Sequence, residues 1–260
     1  MLRFLIVCLF TVSTTLSFAS GAITCYVKTP VAFGMVPAIS SNITELWAAR
    51  INRHIRSVSC LDVSFGSGAN FSQYIDRARS GDFDVLAVPA HIASYLIKTS
   101  GFKPVAFLVW ESSYLYAVKN DSSLMAVDDS VLLSLGDIRG LRVALPDPLA
   151  EASILAKQSL SDRREDIAFD HYDHFGQIVS VLLSNQADIG ILLSPFYNAY
   201  KKRSGLDLRI IYSAHFPSHG MVIAAPHIGE HVRSEMLRVL TALEENADLF
   251  WESVKPVSEK

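Results

Sequence analysis

The sequence predicts an α/β protein built as two lobes, each a mostly parallel sheet flanked by helices, with a cleft between them. Three observations carry this expectation. From residue 23 onward, short apolar runs alternate with amphipathic stretches, the pattern of strands covered by helices. The cycle runs twice along the chain. The segment Gly81-Asp82-Phe83-Asp84-Val85-Leu86-Ala87-Val88 is also echoed by Asn185-Gln186-Ala187-Asp188-Ile189-Gly190-Ile191-Leu192. In each copy a helix ends at a Gly or Asn able to take a left-handed cap, an Asp follows, and a buried strand begins.

The first cycle opens with a strand over Ile23–Lys28. Asn42-Ile43-Thr44-Glu45 is a capping-box-like start for a helix through about Ser57. Then come a strand over Leu61–Phe65, a helix over Asn70–Arg79, a strand over Phe83–Val88, a helix over Ala90–Lys98 and a strand over Pro104–Trp110. The second cycle places strands at Leu141–Leu145, Ile167–His171 and Asp188–Leu193. Its helices fall at Ala150–Leu160, Phe175–Ser184 and Pro195–Arg203, the last ending in a solvated basic run, Lys201-Lys202-Arg203. A strand at Met221–Ala225 and a long helix over Glu230–Trp251 close the chain. The expected division is residues 23–112 with 217–260 in the first lobe and 113–216 in the second.

Composition narrows the function. Half of the 260 residues are hydrophobic and 19% are charged, so the chain can bury a core and is not a disordered scaffold. A net charge of −3 argues against nucleic-acid binding, which needs a basic surface to neutralise phosphates. Residues 1–22 read as a secretory signal: Arg3 in the n-region, the nine-residue apolar run Phe4–Val12, then small residues up to Ala22. That run is too short to span a bilayer, which takes about 20 apolar residues. Without Arg3 the exported body carries 22 bases against 26 acids, a charge of −4. Export removes Cys8 and leaves Cys25 and Cys60, expected to pair as a disulfide in an oxidising compartment.

In open α/β sheets, ligands bind beyond the carboxyl ends of strands. That rule selects Thr29, Ser67 to Asn70 and Pro89-Ala90-His91 in the first lobe. In the second it selects Pro146-Asp147-Pro148 through Glu151 and Ser153, His171 to His174, and Ser194-Pro195. Each segment leads into a helix start, where unpaired N–H groups and the helix dipole favour an anion. The ligand-binding candidates are therefore Ser67, Asn70, His91, Glu151, Ser153, His174 and Ser194, joined by Tyr114, an aromatic near the passage between lobes. Each has a plainer reading as well. Asn70 and Asp173 suit helix N-caps, Ser67 a turn, Trp110, Tyr114 and Tyr116 inter-lobe packing, and Asp84 and Asp188 bonds to nearby backbone N–H groups.

Three stretches resemble a known family. Leu135-Gly136-Asp137-Ile138-Arg139-Gly140-Leu141-Arg142-Val143 is similar to the "dLkGkrv" signature opening the second lobe of type 2 periplasmic solute-binding proteins. Ala78–Leu96 resembles their first-lobe "G..D" strand and following Pro-led helix, and Asp170–Leu192 the His-led helix and "G..Da" strand of the phosphate/phosphite/phosphonate-binding branch. The resemblance implies a venus-flytrap protein in the periplasm that captures a small solute and delivers it to the permease of an ABC importer. Closure would run through connections near Ser112–Tyr114 and Pro217–Met221. The family histidine is best matched by His174. The Ser/Thr-rich oxyanion turn of that branch corresponds here to Asp147-Pro148-Leu149-Ala150-Glu151-Ala152-Ser153. Its hydroxyls are mostly gone, and Glu151 puts a carboxylate at the helix start, which suits a solute with a cationic group.

No cofactor or metal is expected. His171, His174, His215 and His219 match no zinc-site spacing. There is no G-x-S-x-G nucleophile elbow, Gly66-Ser67-Gly68-Ala69-Asn70 is too short for a phosphate-cradling loop, and the cysteines are too far apart for redox chemistry. A Ser–His–Asp triad is assembled in space and stays open at this level. The reading is thus a monomeric, non-enzymatic solute-binding protein for an oxyanion-like or zwitterionic solute. The alternative is a sensing module that reports the solute to a membrane sensor protein such as a histidine kinase.

Overall fold

A computed structural model describes residues 25–37, 41–109, 112–119, 140–161, 167–204, 208–216, 219–243 and 253–257. The expected signal segment, Trp110 and most of the Leu135–Val143 likeness lie outside these residues. The elements follow in order as β1 (Thr29–Met35), α1 (Ser41–Val58), β2 (Leu61–Gly66), α2 (Phe71–Arg79), β3 (Val85–Pro89), α3 (Ala90–Ser100) and β4 (Lys103–Val109). The second series is β5 (Ser112–Val118), β6 (Arg142–Leu145), α4 (Glu151–Ser161), β7 (Ala168–His171), α5 (Phe175–Leu183), β8 (Ile189–Leu193), α6 (Ser194–Ser204) and β9 (Arg209–Phe216). The chain closes with β10 (His219–Ala224), α7 (Glu230–Thr241) and β11 (Ser253–Pro256).

The strands form two sheets, ordered β11-β4-β10-β3-β1-β2 and β7-β6-β8-β5-β9. Both are mixed, with most strands of each running the same way. In the first, only β10 and β11 run against the rest, and in the second only β5 does. The chain passes from the first sheet to the second between Val109 and Ser112, and returns between Phe216 and His219.

The internal echo extends well beyond the strand. Helices α2 and α5 begin at 71 and 175, strands β3 and β8 at 85 and 189, and helices α3 and α6 at 90 and 194, a constant offset of 104 residues. Gly81 and Asn185, which follow α2 and α5, hold φ of 85° and 55°. Asp84 accepts the Ala32 N–H at 2.8 Å, and Asp188 accepts the Arg142 N–H at 2.9 Å, so each carboxylate ties its strand to the neighbouring one. Arg142 adds guanidinium bonds to Asp188, and these hold that carboxyl below the usual carboxylate range.

The strands pack because their apolar residues are buried on both faces. Val85 to Val88, and Ile189, Ile191 and Leu192, are all buried. A Cβ at Gly34 would lie 2.5 Å from the buried Leu86 side chain and 3.0 Å from the Phe83 ring, so a larger residue there would force both to move. Cys25 and Cys60 form the expected disulfide, with Cα atoms 5.5 Å apart.

Four expectations are corrected. The first strand is Thr29–Met35 and not Ile23–Lys28: Tyr26 and Val27 are exposed, while Val31, Phe33 and Met35 are buried between β2 and β3. Thr29 therefore starts this strand instead of ending one. Ser112–Tyr114 is the beginning of β5 and Met221 lies inside β10, so the connections between sheets are shorter than expected. Strands β5, β9 and β11 were not anticipated; each gains backbone partners only from a distant part of the chain. The closing helix stops at Thr241, where Ala242 caps it, and does not continue through the described Leu243.

Candidate functional site

Three loops at carboxyl ends of strands meet beside the first turn of α1. Ser67, Gly68 and Ala69 follow β2, and Pro37 follows β1. Asp173 and His174 follow β7 in the other sheet. With Thr44 and Glu45 of α1 they line a cavity of about 410 Å³, in the range of small-molecule sites. Two predicted candidates, Ser67 and His174, are brought together here from opposite sheets.

The β2–α2 loop is held tightly. The Ser67 hydroxyl donates to the Met35 carbonyl at 2.7 Å, and the Arg77 guanidinium donates to the Ser67 carbonyl. Arg77 is itself fixed by Asp82 and lies 4.8 Å over the Phe83 ring. No side chain fits at Gly68, where a Cβ would lie 2.6 Å from the Tyr74 nitrogen. The loop then enters α2 through Asn70, whose side-chain oxygen accepts the Gln73 N–H at 2.9 Å, while Gln73 accepts the Ala69 N–H. Asn70 is thus a helix cap and does not line the cavity.

The β7–α5 loop repeats this arrangement. His174, not Asp173, is the N-cap of α5. Its Nδ1 accepts the Gln177 N–H at 3.3 Å, and Gln177 accepts the Asp173 N–H at 2.9 Å. A neutral ring accepting at Nδ1 carries its proton on Nε2, which leaves His174 one donor for a solute. Asp173 and Glu45 give the cavity two carboxylates, and among the described residues no Lys or Arg lines it.

The other candidates fall elsewhere. Tyr114 donates to the Glu151 carboxylate at 2.9 Å, joining β5 to the start of α4. Ser153 is fully buried and donates to the Pro146 carbonyl, which makes it a support of the β6–α4 loop. Ser194 is the half-buried first residue of α6. His91 bonds through Nε2 to the Leu149 carbonyl at 2.8 Å, a contact from α3 to the β6–α4 loop of the other sheet. In that same loop, Asp147 is only 6% exposed and accepts the Phe71 N–H of α2 at 3.0 Å.

Glu45 and Thr44 were missed as cavity residues because the first strand was placed too early. Applying the strand-end rule to the true end of β1 leads through Pro37 to the start of α1. Asp173 belongs to the segment His171 to His174 that the strand-end rule selects, with a helix N-cap as its plainer reading. Asp147 gave no sequence signal of its contact, because the partner is a backbone N–H far away in the chain.

Solved structures share this fold. A phosphonate-binding protein, PhnD1, from Prochlorococcus marinus MIT 9301 in complex with methylphosphonate superposes with a TM-score of 0.75 at 10% identity, covering 88% of this chain and 92% of its own. A binding component of an ABC phosphonate transporter from Pseudomonas aeruginosa gives 0.69 at 11% identity, with coverages of 88% and 82%. An ancestral arginine-binding protein bound to arginine gives 0.59 at 14% identity, with coverages of 86% and 96%. These likenesses establish the two-lobed type 2 periplasmic binding fold. No curated protein matches the sequence. The family model for the periplasmic substrate-binding protein of phosphonate ABC transporters matches residues 33–257, and the chain belongs to that family.

Proposed function

We propose that the protein captures a small zwitterionic solute, an amine joined to an oxyanion-like group, in the cavity between the β2–α2 and β7–α5 loops. The solute then passes to the permease of an ABC importer. One observation carries this reading: the cavity combines the carboxylates of Glu45 and Asp173 with the start of a helix, α5, capped by His174. Carboxylates suit an ammonium group, and the first N–H groups of a helix suit an anion. Family membership supports the capture role, and the methylphosphonate bound by the Prochlorococcus protein supports the oxyanion end.

The same reading takes residues 1–22 as an export signal, and the Cys25–Cys60 disulfide supports passage into an oxidising compartment. It places the division between lobes where the chain changes sheets, near residues 110–111 and 217–218, and has the protein act as a monomer. The test is a calorimetric and thermal-shift screen of the protein purified from the periplasm. The probes are an aminoalkylphosphonate, an alkylphosphonate without the amine, an amino acid, a sulfonate and inorganic phosphate. The amine-bearing phosphonate is expected to bind most tightly; a solute present at about 100 times its Kd adds about 2.7 kcal/mol of stability. Silence toward every probe overturns the reading.

A further inference from the structure

We propose that Asp147 is a built-in anion: its carboxylate occupies the start of α2, ties the two sheets together before any solute arrives, and refuses an anionic solute group at that helix. The inference rests on the capture reading above and names which helix start is closed to the solute. The geometry is specific. Oδ2 of Asp147 accepts the N–H of Phe71, the first residue of α2, at 3.0 Å, and Oδ1 accepts the Leu149 N–H at 2.8 Å. A buried carboxylate at a helix start is held by charge-assisted bonds and by the positive end of the dipole. It is the same contact that an oxyanion would make.

Two neighbours complete the tie. Ala150 is buried in an apolar cluster whose other fully buried members, Phe71, Tyr74, Phe83 and Leu96 among them, all come from the first sheet's half. The Leu149 carbonyl bonds to His91 at the start of α3. The Asp147–Ala150 loop of the second sheet is thus seated across the starts of α2 and α3 by two hydrogen bonds and one apolar contact. Swinging the sheets apart would leave the Asp147 carboxylate and the Phe71 N–H without each other, a cost that biases the ensemble toward the closed form. An incoming phosphate or phosphonate would have to displace a fixed negative charge to reach α2.

The test compares wild type, Asp147→Asn and Asp147→Ala, each purified from the periplasm and checked for folding by circular dichroism. Solute-free radius of gyration is measured by small-angle X-ray scattering, and affinity for inorganic phosphate by calorimetry. Asp147→Ala should expand the solute-free protein and gain phosphate affinity about tenfold or more, a difference well resolved by calorimetry. Asp147→Asn keeps an acceptor for the Phe71 N–H while losing the charge, so it should expand less but still gain phosphate affinity. If Asp147→Ala does not fold, the phosphate affinity of Asp147→Asn decides. A wild-type radius in a folded Asp147→Ala, or phosphate affinity unchanged in the folded variants, overturns the proposal. The scattering arm needs no solute. Expansion of Asp147→Ala alongside a wild type that captures no probe would sink the capture reading alone.

Discussion

Helix α2 starts Asn70-Phe71-Ser72-Gln73 and helix α5 starts His174-Phe175-Gly176-Gln177, 104 residues later. Both are capped from the residue before the helix, both send a glutamine back to the preceding N–H, and both lead to a strand headed by an Asp. They differ in what meets them. Asp147 of the other sheet bonds the first N–H of α2, whereas among the described residues no acceptor for the Phe175 N–H is found and the α5 cap lines the cavity. The two helix starts share their capping chemistry, and only the first is engaged by a carboxylate from the other sheet. Under the capture reading proposed above, Asp147, a residue outside the repeat, sets which helix start is open to the solute.

The two halves differ most at the disulfide, which ties the segment before β1 to the start of β2 in the first sheet's half and has no counterpart among the described residues of the second. Replacing both Cys25 and Cys60 with Ser, across a separation of 35 residues, should lower stability by about 3–4 kcal/mol if the chain-entropy account holds. Denaturant melts with and without reductant measure it, and coincident curves would show that the staple contributes nothing. Next come the two caps. Asn70→Ala and His174→Ala should each cost about 1 kcal/mol. Only the histidine variant should also weaken solute binding, and His174→Asn should restore stability without restoring affinity. Equal binding by all three would break the assignment of α5 as the helix that serves the solute.

The smallest effect belongs to the strand-heading aspartates. The carboxyl of Asp188 is held below its ordinary range by hydrogen bonds from Arg142. Its stabilisation is therefore present above the unfolded pKa of about 3.9 and is lost as pH falls through the lower folded value. Both side chains are more than a third exposed or close to it, so solvent screening keeps the contribution below about 1 kcal/mol. Melts of wild type and Asp188→Asn between neutral and acidic pH should converge at the acidic end. A gap that does not shrink there would assign the bond a role unrelated to charge.

Much of this was legible in the sequence because it is local. The echo 81–88 and 185–192 announced the repeat, and helices α2 to α6 lie within a residue or two of their expected bounds. What escaped was set by partners. The expected first strand, Ile23–Lys28, stops just short of the true one, Thr29–Met35, which carries a proline that removes a ladder donor. Pro30 is tolerated because β1 pairs with β3 only from Phe33 onward, so at Pro30 it has β2 alone beside it. Pro104–Trp110 reads as a strand and Ser112–Tyr114 as a hinge, and only the sheet partners show that Lys103–Val109 and Ser112–Val118 are strands of different sheets. Of the candidate residues, Ser67 and His174 follow from the strand-end rule. Glu45 was lost with the misplaced strand, and the burial of Ser153 depends on a fold that no spacing reveals.

The order of the first sheet also dictates a timetable. Strand β10 lies between β3 and β4, so the interior of that sheet stays incomplete until residues 219–224 have been made and delivered. All described strands of the second sheet lie between residues 112 and 216, so none of them comes from either end of the chain. As the protein emerges into its compartment, the later-made half is the one able to fold at once. The earlier half must wait, with β3 and β4 unjoined, and exposed strand edges of this kind are where association with other chains begins. The Cys25–Cys60 bond can close long before that wait ends, pinning the first part of the chain while its central strand is still to come.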